Sequence, residues 1–299
     1  MANAGADRFV LNVAGGRAVE VLTVQDTDGL PLVFNTGTPS GLVPYPPLFD
    51  AAAPHGLRCV LYSRPGYGNS DPQPGRKAAD AAADVATILD HLGAAEFVTT
   101  GWSGGGPHAL ACAALLPGRC LAAATIAGVA PYQAQGLDWL AGMAPENIEE
   151  FGAAMAGQEE LEAMLTVAAS MMGDLSATDV ANVFGDLVTP PDKAVITGEF
   201  GDYLAKTTTS AVASGIAGWR DDDLAFVSDW GFSLEQVSGP VSVWQGDQDA
   251  MVPFAHGRWL AAHIPGAQPR LVPGEGHLSL VVNHLDDILR GLVLAARTS

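Results

Sequence analysis

Residues 96–116 read EFVTTGWSGGGPHALACAALL, and three signals run together in them. Residues 96–100 form a short run with strand character. Residues 105–116 have helix character and stop at Pro117-Gly118. Between them Gly101-Trp102-Ser103-Gly104-Gly105 matches G-x-S-x-G, the turn that lifts a nucleophilic serine off the end of a strand. The match alone is weak: with 14 serines and 35 glycines in 299 residues, roughly 0.2 such matches arise by chance. Its setting raises it above an ordinary glycine-rich turn. A sharp strand-to-helix turn strains the serine backbone and tolerates only small flanking residues. The helix N-terminus beneath it offers unpaired N–H groups to a developing oxyanion. Gly104 to Ala109 also fits G-x-G-x-x-A, a dinucleotide-binding turn, but several strands precede it and residues 121–128 supply no acidic partner.

Outward from this turn, strand and helix patterns alternate. Residues 18–25 alternate apolar and polar side chains, Asp28-Gly29 is a hairpin signal, and residues 32–35 form a short buried strand. Residues 58–63 and 121–127 read as further buried strands, and residues 78–92 as a helix stopped by Gly93. After residue 235 the rhythm resumes with strands at 241–245 and 270–272, a helix near 254–263 and a closing helix at 278–297. This pattern predicts an α/β fold: a mostly parallel twisted sheet with helices on both faces.

Residues 131–235 break the rhythm. They show helical spacings, as at Ile148, Phe151 and Met155, or Leu161, Leu165, Ala168 and Met172, and no convincing strand. They hold 18 acidic and 3 basic residues, a net of −15, against −4 for the rest of a chain whose net charge is −19. They also carry five of the seven methionines. The expected organisation is therefore a core of residues 1–130 and 236–299, interrupted by an all-helical cap at 131–235. The cap methionines suit an adaptable apolar pocket, although each could equally pack the cap's own core. Trp139, Trp219 and Trp230 read as core residues. Asp221, Asp222, Asp223, Glu146, Glu149 and Glu150 are the carboxylates that would act on a substrate if they faced a cleft. Otherwise the acidity is a solvated surface.

Two further loops carry candidate chemistry. Gly246-Asp247-Gln248-Asp249 follows the strand at 241–245, and Gly274-Glu275-Gly276-His277 follows the next strand. A serine–histidine pair needs a carboxylate to hold the imidazole tautomer, and Asp247 and Asp249 are both available. Asp247 suits turn hydrogen bonding. The order Ser103, Asp249, His277, each at the end of a strand, is a nucleophile–acid–base arrangement. A histidine base predicts an activity limb near pH ~6.5, lower if burial outweighs the carboxylate.

On these motifs the chain resembles the α/β-hydrolase superfamily over residues 18–130 and 236–297. Arg64-Pro65-Gly66-Tyr67-Gly68-Asn69-Ser70 resembles that family's R-G-x-G-x-S turn, with Pro65 inserted. Thr36-Gly37-Thr38-Pro39 resembles its His-Gly-x-Pro loop, with Thr36 in place of the usual histidine. The resemblance implies that the acid is Asp249, three residues after the glycine, and that the backbone N–H groups of Thr38 and Gly104 form an oxyanion hole. Trp102 is either a substrate contact or packing beneath the turn. Serine rather than aspartate at position 103 disfavours dehalogenase and epoxide hydrolase chemistry.

The resulting expectation is a serine hydrolase that cleaves an ester-like small molecule through an acyl-enzyme. The alternatives are a proline-iminopeptidase-like aminopeptidase, a cofactor-free haloperoxidase-like or lyase-like enzyme, and a non-catalytic binding protein. Iminopeptidase-like relatives hold a substrate ammonium with acidic cap residues, but their His-Gly-Gly-Pro-Gly loop and the tryptophan just after the serine are matched here only in part. No metal spacing is present and no cofactor is expected. Cys59, Cys112 and Cys120 read as buried thiols in a reducing compartment. The acidic charge argues against nucleic acid as a partner. No signal peptide or membrane span is read, which predicts a cytoplasmic protein. No sequence feature bears on oligomeric state.

Overall fold

The computed structural model describes residues 6–24 and 29–298. Its strands are β1 (Ala6–Asn12), β2 (Ala18–Val24), β3 (Leu30–Asn35), β4 (Leu57–Tyr62), β5 (Phe97–Trp102), β6 (Cys120–Ile126), β7 (Val241–Gly246) and β8 (Gln268–Val272). They make one sheet in the order β1-β2-β4-β3-β5-β6-β7-β8. β1, β2 and β4 pair antiparallel, and from β4 through β8 every pairing is parallel. The central strands are apolar on both faces because both faces are covered. Along β3, Leu32 and Phe34 pack into one core cluster and Val33 into the other. The first cluster includes Leu48 of α1 (Pro46–Ala52), and the second includes Val85 of α2 (Asp80–His91) and Leu110 of α3 (Gly105–Leu115).

Between β6 and β7 the described chain forms helices: α4 (Pro145–Ala156), α5 (Gln158–Met172), α6 (Val180–Val183), α7 (Pro190–Val195), α8 (Gly198–Val212) and α9 (Ala217–Phe226). α10 (Phe254–His263) and α11 (His277–Ala296) complete the fold. In α11 the buried residues Leu278, Val281, Leu285, Ile288, Leu289 and Leu292 recur at helical spacing, giving one stripe against the sheet. No helix among the described residues is long and apolar enough to cross a membrane. The apolar run after Gly104 is α3 followed by β6.

One sequence expectation needs correction, and one strand was not anticipated. The hairpin at Asp28-Gly29 does not form: β4 lies between β2 and β3. Asp28 is outside the described residues. Gly29 serves a close approach instead, since a Cβ there would stand 2.6 Å from the Gly56 carbonyl oxygen. β1 is an unanticipated edge strand. Val10 is exposed, and no side chain of the strand is fully buried, so it lacks the one-sided burial that marks a strand in sequence.

The sheet's order reverses direction between β3 and β5. In open α/β sheets the crevice beyond the strands' carboxyl ends at such a switch point is where ligands bind. Thr38 follows β3, Ser103 follows β5, Asp249 follows β7 and His277 follows β8, so this one edge collects all four.

Candidate active site

Ser103 occupies the tight turn between β5 and α3 with φ of +56°, a left-handed conformation uncommon for serine. Its N–H donates to the Ile126 carbonyl at 2.8 Å, and its own carbonyl accepts from Gly106 at 2.9 Å. The flanking glycines are a steric necessity. A Cβ at Gly101 would stand 2.1 Å from the Gly105 oxygen, and one at Gly105 would stand 2.1 Å from the Asn35 oxygen. Ser103 is half-buried and lines a cavity of about 130 Å³ that His277, Thr38 and Gly104 also line. Among the described residues its hydroxyl has no hydrogen-bond partner. In ligand-free sites such contacts often tighten only around substrate.

His277 is buried at the first position of α11. Its Nδ1 lies 2.9 Å from Asp249 Oδ2. The same carboxylate accepts from Gln245 Nε2 at 2.9 Å and from the N–H groups of Met251 and Val252 at 2.9 and 2.8 Å. Asp249 is thus fixed in place with its charge hydrogen-bonded. Asp247 accepts the Gly274 N–H at 2.8 Å, tying its loop to the histidine loop without reaching the imidazole. Burial alone would depress the His277 pKa. The charge and hydrogen bond of Asp249, with the charge of Asp192, outweigh burial and raise it above 6.5. Trp102 packs against this histidine, with ring centroids 5.8 Å apart and Nε1 3.3 Å from the His277 carbonyl oxygen.

The loop at 36–38 is held from below. Arg64 donates to the carbonyls of Thr36 and Gly37 at 2.6 and 2.7 Å and to Thr38 Oγ1 at 2.9 Å. Asp222 of α9 accepts from Thr38 Oγ1 at 2.8 Å and from Arg64, and pairs with Arg76 at 2.6 Å. With threonine at position 36, Arg64 is the side chain that ties this loop to the core. Burial would raise the Asp222 pKa, but the two guanidinium groups overcome it and hold the carboxyl far below the ordinary range. Burial and the Arg64 charge push neighbouring His108 down to about 3, so it is neutral at physiological pH. The N–H groups of Thr38 and Gly104 donate to no protein acceptor among the described residues. The two residues sit so close that a Cβ on Gly104 would lie 2.4 Å from Thr38 Oγ1.

A model of the alpha/beta hydrolase fold family matches residues 31–284, which span the sheet from β3 to β8 and all four of these loops. The chain belongs to the α/β-hydrolase fold family. It is 34% identical over 131 residues to a non-heme chloroperoxidase of Streptomyces lividans, a match covering 43% of this chain and about half, 48%, of that relative. It is 24% identical over 263 residues to a pimeloyl-[acyl-carrier protein] methyl ester esterase of Aromatoleum aromaticum, covering 84% of this chain and 92% of that one. An esterase structure from Exiguobacterium antarcticum superposes with a TM-score of 0.67 at 18% identity, over 96% of this chain and 98% of that one.

This α/β hydrolase carries cavity residues that the sequence did not single out correctly. Of the six acidic candidates, only Glu150 and Asp223 line the cavity. Asp223 is buried, and neither of its oxygens accepts from a protein donor among the described residues. Burial, and then the facing Glu150, push its carboxyl well above the ordinary range. Glu150 is half-buried and accepts from Trp219 Nε1 at 2.8 Å. Trp139, Trp219 and Trp230 are all buried in core clusters, as expected, and Trp219 also lines the cavity. Of the methionines in residues 131–235 only Met172 reaches it, joined by Met251 from the loop after β7.

Proposed function

We propose that the chain is a serine hydrolase cleaving an ester-like small molecule. His277, oriented by Asp249, takes the proton of Ser103, whose oxygen attacks the carbonyl. The N–H groups of Thr38 and Gly104 stabilise the oxyanion, the alcohol leaves, and water then releases the acyl group. The observation that carries this reading is a left-handed serine at a strand end sharing one cavity with a carboxylate-bonded histidine. The ester-hydrolysing relatives support the substrate class. In this reading residues 131–235 act as a cap, and their apolar side chains at Phe151, Phe184 and Leu204 shape the acyl or leaving-group space. The test is a fluorophosphonate probe with peptide mapping, run beside turnover of p-nitrophenyl esters of several chain lengths. Labelling at Ser103 together with ester turnover is expected. A folded protein with neither would reject the reading.

One observation favours a second reading, in which the substrate carries an amine. Asp223 offers two carboxylate oxygens with no protein donor inside the same cavity, and Glu150 faces it. Two facing carboxylates resist double ionisation and favour a shared proton or a cation. Aminoacyl-p-nitroanilides decide it: faster turnover of these than of the esters would shift the substrate class to amine-bearing acyl groups.

A further inference from the structure

One carboxylate holds the loop of the base without touching its ring. Asp192 of α7 is completely buried. Its Oδ2 accepts the His277 N–H at 3.2 Å, and its Oδ1 accepts those of Leu278 and Ser279 at 2.8 and 2.9 Å. These are the first N–H groups of α11, which a helix leaves without internal partners. The residue just before the helix usually supplies the capping oxygen from its own side chain. Here that residue is Gly276, and there is no space for anything larger: a Cβ would stand 2.4 Å from either Asp192 oxygen. The Gly276 backbone is extended, with φ of −94° and ψ of −156°, so the glycine answers to this close approach and not to a left-handed turn. Thr189 holds the carboxylate from its other side, through its hydroxyl at 3.1 Å and its N–H at 3.4 Å. A side chain 85 positions upstream of the histidine, borne by the helical segment, thus occupies the capping place.

We propose that Asp192 is a positioning residue for His277: it clamps the backbone of the base from the helical segment, so the base is set for proton transfer only while α7 is docked. The proposal rests on the reading of Ser103, Asp249 and His277 as a catalytic triad. A helix cap would be satisfied by any neutral acceptor, whereas this carboxylate also places a negative charge at the N–H of the base. The groups in contact with His277 are Asp249 from the loop after β7, Asp192 from α7 and Trp102 from the end of β5, while Ser103 lines the same cavity. Of these, Asp249 and Asp192 are the carboxylates, and both raise the basicity of the imidazole against burial.

The experiment measures the second-order rate of fluorophosphonate labelling at Ser103, and ester kcat and KM, across pH. The subjects are the wild type, Asp192→Asn and Gly276→Ala. Asp192→Asn keeps the shape and one acceptor oxygen but removes the charge. Gly276→Ala displaces the same carboxylate from outside the helical segment. Labelling is measured well below each variant's Tm, where irreversibly inactive protein lowers the amplitude of labelling and not its rate constant. Expected for Asp192→Asn are a fall in labelling rate and kcat on the order of tenfold, little change in KM, and an acid limb moved to lower pH. Gly276→Ala should change both in the same directions, and it carries the test if Asp192→Asn does not fold. Wild-type labelling rates and an unmoved acid limb in the folded variants, even with a lowered Tm, would reduce Asp192 to a helix cap and overturn the proposal. A wild type that does not label at Ser103 fails on the triad itself, and so separates the two ideas.

Discussion

At Ser103 the backbone conformation costs the fold about 1–3 kcal/mol, which the surrounding contacts must offset. Alanine adopts that conformation no more easily than serine, so Ser103→Ala should melt close to wild type. Its turnover should drop on the order of 10⁴-fold or more. Full esterase activity in the folded variant would remove the nucleophile from the mechanism. The two neighbouring aspartates divide in the same way. Asp249→Asn should cost roughly 10⁴ in turnover by favouring the wrong imidazole tautomer. Asp247→Asn should cost far less, since its carboxylate bonds Gly274 and not the ring. The reverse ranking at matched melting temperatures would move the acid to Asp247. For the base, proximity to Asp249 overrides burial, so the acid limb of kcat/KM should lie above pH 6.5. A limb below that value would contradict the observed pairing. The stability effect runs the other way. A histidine whose pKa is raised by folding adds stability that is fully present below its unfolded pKa and lost as pH rises through the folded one.

At the scale of elements, α9 shows why a charge run is hard to interpret. Successive helical residues point about 100° apart, so Asp221, Asp222 and Asp223 have three different environments. Asp221 pairs with Arg220 at 2.7 Å, Asp222 enters the Arg64–Arg76 network, and Asp223 faces the cavity. As a string of three aspartates they read as a solvated face. Asp222→Asn leaves two buried guanidinium groups without their counter-charge. It should destabilise the fold by about 3–5 kcal/mol, visible as a lowered urea midpoint with an unchanged slope. A loss below about 1 kcal/mol, the scale of an exposed pair, would mean that the network is not the tie between α9 and the core. Because folding depresses the Asp222 pKa, its contribution is present above the unfolded aspartate range and fades as pH falls through the folded value.

Across the molecule, residues 131–235 carry a net −15, yet only Glu150 and Asp223 of their carboxylates line the cavity. Exposed charges are screened beyond about 8–10 Å at moderate salt, and buried ones much less. Comparing kcat/KM for matched anionic, neutral and cationic esters over a salt series separates the two groups. The anionic ester should be poorest at low salt, and the gap should narrow as salt is added. The part that persists at high salt should disappear when both facing carboxylates are replaced, in Glu150→Gln with Asp223→Asn. Equal salt slopes for all three esters would leave the surface charge a matter of solubility.

Local pattern determined most of the sheet. Runs such as 58–63 and 121–127 are mostly apolar because β4 and β6 are covered on both faces, and the glycines around Ser103 mark a tight turn. The order of Ser103, Asp249 and His277 along the chain likewise placed each at a strand's end. Tertiary structure alone decided the rest. The edge strand β1 buries too little to leave a pattern. The sheet order denied Gly29 its hairpin. Arg64 reaches Asp222 across 158 residues, and Asp192 reaches His277 across 85. A buried carboxylate is stable only where donors converge on it, and donors from distant segments converge only once the chain has packed. In sequence Asp192, Asp222 and Asp223 therefore look like any surface acid, and only packing distinguishes the cap on α11, the tie to the core and the wall of the cavity.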